Sequence, residues 1–273
     1  MTYTDINRQD ESGMREMCEI LGVSSGHRLE LNEYLKEFYS HSDNHPHGWG
    51  LGILRGNDAS IEKEPVKASN SIYLKERLKE KIIEKTLFAH IRYATIGNVE
   101  YRNCHPYSMT DNNGRRWTLI HNGTIFEAKP LEKYVYKQDG DTDSERILLY
   151  IIDVINEEES IANRRLSAEE RFNLIDRIIV DISKDNKLNL MLYDNELMYV
   201  HTNFADSLHY LKKEDSVIVA TSPVSDEVWE RVPFTQLIAF KDGELVFTGT
   251  NHGNEYIENE ENVKMLYQIF AEL

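Results

Sequence analysis

Six short segments hold the residues whose types and spacing can do chemistry: Cys18 in REMCEILGVSS, HPHGWG (45–50), HIRYAT (90–95), NCHPY (103–107), HNG (121–123) and TDSE (142–145). A cysteine becomes a nucleophile when a base lies within hydrogen-bond reach, and its own α-amine serves if it is the first residue of the mature chain. With a pKa of about 7.7–8.0, such an amine is partly neutral at physiological pH. Taken alone, a cysteine heading an apolar strand is a small buried hydrophobe. Its companions argue for chemistry. Arg92 can clamp a carboxylate through two parallel bonds, although a lone arginine at a strand end more often forms a surface ion pair. Asn122-Gly123 alone is a type I′ hairpin signal. The same pair offers a side-chain amide beside a backbone N–H, the two donors an oxyanion hole needs. Asp143 stands near a helix start, where the macrodipole favours a carboxylate, and it can instead hold an ammonium. A thiol, two oxyanion donors, a carboxylate clamp and an ammonium clamp describe a site for an α-amino acid whose side-chain amide is attacked. Glutamine or another γ-glutamyl amide fits.

Two rival constellations are weaker. His41, His45 and His47, with Asp43 among them, have metal-ligand residue types, but no second carboxylate-rich segment is placed to complete a shell. Neither a metal nor a cofactor is expected. Cys104 and His105 are adjacent, and neighbours on an extended strand point to opposite faces, so they make a poor dyad.

These residues must be positioned by strands and helices. Apolar and β-branched runs predict strands at 18–25, 48–55, 86–95 and 117–125, then at 187–194, 196–203, 216–223 and 236–249, the last folded at Asp242-Gly243. Helical spacing predicts surface helices over 29–42 and 70–84, the second through Ile72, Leu74, Leu78, Ile82 and Ile83. A helix pair is predicted at 145–159 and 167–183, with Asp143 and Ser144 as caps of the first, and a terminal helix at 261–273. Strands, a helical layer, more strands and another helix give an α+β class with largely antiparallel sheets. The acidic runs INEEES and YIENEEN read as solvated surface.

Composition narrows the partners. With 31 basic and 47 acidic residues the formal charge is −16, which argues against nucleic acid and anionic membrane surfaces. A small molecule or another protein is expected instead. Two cysteines make neither a disulfide framework nor a zinc module, which fits a reducing cytoplasm. No run approaches the roughly 20 apolar residues of a membrane span. Residues 1–17 have neither the apolar core of a secretory signal nor the Arg-rich, acid-poor character of a transit peptide.

Taken in order, the six segments resemble the glutaminase domain of class II glutamine amidotransferases, in the N-terminal-nucleophile hydrolase superfamily. They are most similar to the stand-alone branch of ergothioneine-pathway and glutathione-degrading γ-glutamyl hydrolases, and VIVATSPVSDEVWERVP (217–233) resembles that branch too. The likeness runs from residue 18 to about 250. It implies a four-layer αββα sandwich in which Cys18 forms a γ-glutamyl thioester while its α-amine shuttles protons. It further implies Arg92 on the substrate carboxylate, Asp143 on its ammonium, Thr95 lining the pocket, Asn122 and Gly123 as oxyanion hole, and His105, Trp49 and Glu145 in support. One departure is His47, where related sequences usually carry Asp.

A peptide bond to Met17 would remove the base. Residues 1–17 are accordingly expected to be a propeptide or a mis-assigned start, or else a retained lock, with residues 18–273 forming the domain. The expected function is a stand-alone amidohydrolase. Alternatives are an ammonia-donating subunit of a separate synthetase and a non-catalytic amino-acid-binding module whose Cys18 stays blocked.

Overall fold

A computed structural model describes residues 18–94, 96–259, 262 and 264. The first half contributes strands β1 (Glu19–Glu30), β2 (Trp49–Arg55), β3 (Asp58–Glu64), β4 (Ile83–Ile91), β5 (Tyr107–Thr110) and β6 (Arg116–Thr124). The second half contributes β7 (Lys187–Tyr193), β8 (Met198–His201), β9 (His209–Lys213), β10 (Ser216–Ala220), β11 (Glu230–Arg231), β12 (Gln236–Lys241) and β13 (Glu244–Asn251). Helices are α1 (Asn32–Ser40), α2 (Ile72–Arg77), α3 (Lys129–Glu132), α4 (Asp143–Ala162) and α5 (Ala168–Ser183).

The strands form two sheets, ordered β11-β9-β10-β1-β4-β2-β3 and β13-β12-β8-β7-β6-β5. Each neighbouring pair is antiparallel. Three apolar clusters show how they stack. Ile20, Phe88, Ile120, Met191, Val219 and Ile238 fill the space between the sheets. Leu35 and Phe38 of α1 cover Leu21, Leu51 and Leu87 on the outer face of the first sheet. Ile147, Ile151, Ile175 and Ile179 of α4 and α5 cover Leu119 and Leu190 on the outer face of the second. Three buried interfaces require four layers, so the fold is the αββα sandwich of the N-terminal-nucleophile type.

Strand alternation then decides which side chains can meet. Leu21, Leu87 and Ala89 face the outer helices, which turns Ile20, Phe88 and His90 inward. Leu188, Leu190 and Leu192 likewise face α4 and α5, turning Lys187, Asn189 and Met191 towards the first sheet. At one end of the sandwich the inner layer changes from apolar to polar. That end holds the candidate site.

Some predicted elements differ. The helix expected over 70–84 stops at Arg77, because Ile83 already pairs with Glu30 in the sheet; Ile72, placed on its apolar face, is 78% exposed. The cap of α4 is neither Asp143 nor Ser144 but Thr142, whose hydroxyl accepts from Glu145 N–H. Helix α5 begins with a reciprocal capping box between Ser167 and Glu170. Strands β3, β5, β9 and β11 were not predicted; β3, β5 and β11 are edge strands and β9 lies next to an edge. The predicted helix at 261–273 lies almost wholly outside the described residues. Among the described residues, no helix is long and apolar enough to cross a membrane.

Candidate active site

Cys18 precedes β1 by one residue. Its neighbourhood is pinned by Thr221 after β10, whose hydroxyl accepts from Ile20 N–H at 2.9 Å and whose N–H donates to Ile20 carbonyl at 3.0 Å. Register carries Cys18 to the end of β4, since Glu19 pairs with Ile91. There the Sγ lies 3.2 Å from both the N–H and the carbonyl oxygen of Tyr93. Burial pushes the thiol's pKa up; the Tyr93 N–H, Arg92 and Lys187 pull it down, and Asp143 opposes them. The sulfur therefore rests as a thiol and needs a base.

The HPHGWG loop holds the other side of that strand end. His47 N–H donates to Arg92 carbonyl at 3.2 Å, Arg92 N–H to Gly48 carbonyl at 2.8 Å, and Ala94 N–H to His47 Nδ1 at 2.9 Å. The ring thus supplies the acceptor that a carboxylate would supply, and burial with the nearby Arg92 charge brings its pKa to about 4. It stays neutral at pH 7 with its acceptor nitrogen bare. Gly50 has a different reason: a Cβ there would run into the His105 carbonyl, so the loop carrying NCHPY passes only over glycine. Trp49 is fully buried, its indole N–H donating to Glu64 at 3.0 Å.

Arg92 is buried with its fork on backbone carbonyls, Nη1 on Asn98 and Nη2 on Ile96 and Gly97, each at 2.9 Å. It shapes the 96–98 loop as it stands. Thr95 lies outside the described residues.

On the facing sheet, Asn122 and Gly123 sit inside β6, paired with Asn189 and Leu188; the hairpin-turn reading of Asn-Gly is wrong. Glycine is required because a Cβ at 123 would strike the Lys187 carbonyl and the His121 ring. Pairing with β5 ends at Leu119, so among the described residues the far edge of β6 has no strand beside it at Asn122-Gly123. Asn122 faces inward, and its buried Nδ2 has no partner among the described residues. The sheets touch here, with His90 Nε2 3.3 Å from the carbonyl of His121.

Asp143 is the first residue of α4. Its carboxylate accepts from Ile125 N–H at 2.7 Å, just beyond β6, and from Ser144 N–H at 2.8 Å. Ser144 Oγ in turn meets His121 Nδ1 at 2.9 Å, tying the helix start to the strand of Asn122. Glu145, two residues after Asp143, accepts from Asp139 and Gly140 N–H, at 2.9 and 2.8 Å. His105 stacks on His90 with ring centres 4.1 Å apart, and burial holds it neutral. Cys104 is buried against the carbonyls of Glu64 and Glu100, and its thiol is pushed up to about 11.

The histidines near residue 45 go separate ways: His41 to Glu19 at 2.8 Å, His45 to the His41 carbonyl at 2.9 Å, and Asp43 to Lys67 at 2.7 Å. No metal-binding group of three such side chains occurs among the described residues. Sequence reasoning missed Lys187 and His90. For Lys187 the available signal was alternation with Asn189 and Met191 in KLNLMLY.

Residues 17–216 match the family described as class-II glutamine amidotransferases. The chain belongs to that family. It is similar to an uncharacterized protein of Methanocaldococcus jannaschii, 27% identical over 259 residues that cover 85% of this chain and 71% of that protein. It is also similar to an Escherichia coli protein provisionally described as a glutamine amidotransferase, 26% identical over 75% of this chain and 80% of that one. Among solved structures, one from Pseudomonas aeruginosa described as a predicted glutamine amidotransferase superposes at a TM-score of 0.59 and 18% identity, covering 84% of this chain and 100% of that one. The allosteric regulatory enzyme of purine biosynthesis superposes at 0.66 and 17% identity, over 87% of this chain and 50% of that one. The last two likenesses are of fold.

Proposed function

We propose that this chain cleaves the side-chain amide of glutamine, or of a related γ-glutamyl compound, through a thioester on Cys18. The observation that carries the reading is the pairing of two features across the inner layer: a thiol just before β1 and, on β6, a buried amide donor without a partner among the described residues. Family membership supports it.

In this reading the Cys18 α-amine takes the thiol proton as sulfur attacks the γ-carbonyl carbon. Negative charge collects on the carbonyl oxygen, opposite Asn122 Nδ2 and the Gly123 N–H. Collapse expels the amine, which leaves with the proton the α-amine accepted. Water, deprotonated by the same amine, then hydrolyses the thioester to glutamate. Asp143 holds the substrate ammonium and Arg92 its carboxylate, the latter by exchanging part of its hold on residues 96–98. His105, Trp49 and Glu145 keep the surrounding loops in place. The amine exists only where the bond to Met17 has been cut, and two free cysteines support a reducing cytoplasm as the setting.

Two measurements test the reading. Protein isolated from its own host should have a mass corresponding to a chain that starts at Cys18. Cys18→Ala should abolish glutamate release from glutamine, whereas Cys104→Ala should leave it largely intact; equal loss from both would sink the assignment of the nucleophile.

A further inference from the structure

Glu19 follows the nucleophile directly, and the scheme above gives it no part. Strand alternation turns Ile20 towards the inner layer and Glu19, like Leu21, towards the outer helices, away from the chemistry. There its carboxylate meets His41 in the turn after α1, Oε2 to Nδ1 at 2.8 Å, with the Glu19 side chain 12% and the His41 ring 24% exposed. His41 is itself fixed twice. Leu35 and Phe38 seat α1 on the first sheet, and the His41 carbonyl accepts from His45 Nδ1 at 2.9 Å. Two residues further on, His47 N–H donates to the Arg92 carbonyl and His47 Nδ1 accepts from Ala94 N–H. Glu19 lies opposite Ile91 in the sheet. The stretch 41–47 therefore grips the ends of two neighbouring strands, the start of β1 through His41 and the end of β4 through His47.

We propose that Glu19 and His41 are positioning residues for the nucleophile: their bond anchors the first residues of the mature chain from the outer face, so that the Cys18 sulfur and α-amine stay at the end of β4 throughout the reaction. This rests on Cys18 being the nucleophile and the first residue of the working enzyme. A chain terminus frays unless something ties it down. The contacts of the Cys18 sulfur itself, 3.2 Å to the Tyr93 N–H and carbonyl, must yield when sulfur bonds to the substrate carbon. The hold then passes to the next two residues. Thr221 clamps Ile20 through both its N–H and its carbonyl, and His41 holds Glu19. The second hold lies on the face opposite the substrate, so acylation and hydrolysis leave it undisturbed. Facing His41 are Glu19 from β1 and Glu37 from α1, the latter 3.7 Å from Nε2, while Asp43 is turned to Lys67. The bond to Glu19 raises the His41 pKa, burial opposes the rise, and Glu37 adds to it. A neutral ring still donates through Nδ1, so the tie outlasts the charge.

The test compares two rates in variants of the full chain made in its own host: alkylation of Cys18 by iodoacetamide, read by peptide mass spectrometry with buried Cys104 as control, and release of glutamate from glutamine. Loosening the anchor frees the thiol from burial and scatters the geometry of attack, so the two rates should move in opposite directions. In H41A the alkylation of Cys18 should quicken severalfold, and kcat should fall at least about tenfold with little change in KM. H41N places an amide N–H where Nδ1 stood and should recover most of both. H41Q places it where Nε2 stood, away from Glu19, and should not. Two unchanged rates, or two that fall together, in H41A and E19A would overturn the proposal. So would faster alkylation of Cys104 alongside Cys18 in both variants, since the pair would then support the whole fold. Alkylation needs no turnover, so quicker labelling of Cys18 in H41A, where even the unaltered protein cleaves no glutamine, would keep the anchor and refute the amidase reading instead.

Discussion

A single amide nitrogen separates two explanations for Asn122. If the residue served only the sheet, its side chain would be bonded within the fold; its Nδ2 is buried and has no such bond among the described residues. Removing it should therefore cost catalysis and spare stability. Asn122→Ala is expected to lower kcat by about 10²–10³-fold while the unfolding midpoint moves little, and equal loss of both would return Asn122 to a structural role. Residue types made this half of the site legible in sequence: Cys18, Asn122, Gly123 and Asp143 all fall around one end of the inner layer. What sequence could not convey was which partners each group already holds. Arg92 has the right chemistry for a carboxylate, yet its fork is filled by carbonyls of its own loop. His47 looks like a loss of a carboxylate, yet its bare Nδ1 accepts from Ala94 all the same.

Elements are held in register by polar ties as much as by apolar faces. The clearest is Arg171 on α5, fully buried, which donates to Asp194 at 2.6 Å, to Glu196 at 2.7 Å and to the Leu166 carbonyl at 2.8 Å. Tyr199 of β8 adds a fourth bond to Asp194 at 2.9 Å. Together they lock α5 to the turn between β7 and β8. Replacing Arg171 by Met leaves the Asp194 charge buried with one hydroxyl and backbone donors for company. A loss of about 3–5 kcal/mol is expected in denaturant unfolding; a change below about 1 kcal/mol would mean that the turn relaxes to admit water. Element existence was largely legible from periodicity, because β1, β4, β6 and β7 alternate cleanly between two buried faces. Element ends were not. In 70–84 the helical spacing continues through Ile82 and Ile83, but pairing of Ile83 with Glu30 takes precedence and ends the helix early.

For the molecule as a whole, the inner and outer layers around the site store an unusual number of neutral histidines. Burial lowers His90 and His201 to about 3 and His47 to about 4, and it lowers His105 and His121 as well. The unfolded chain takes up these protons near pH 6.5, whereas the folded one refuses them until far lower pH. Between those limits the unfolded state holds more protons, so stability falls as pH drops from about 6.5 towards 4. Urea midpoints measured at pH 7.5, 5.5 and 4.5 should decline in that order, with a shallower decline in His201→Gln. A flat profile would show that these rings are protonated in the folded protein. No pattern in the sequence announces such a reserve, since His90, His105, His121 and His201 lie far apart in the chain and only the stacking of layers gathers them.

The close approach of the Lys187 carbonyl to Gly123, where a Cβ would collide with it, carries a practical lesson for anyone altering this site. The Lys187 main chain is a spacer: it stands so near the β6 backbone that residue 123 has no room for a side chain. Any larger residue at 123 must push the two strands apart, and with them the neighbouring Asn122, so the width of this end of the inner layer is set by the smallest residue in it.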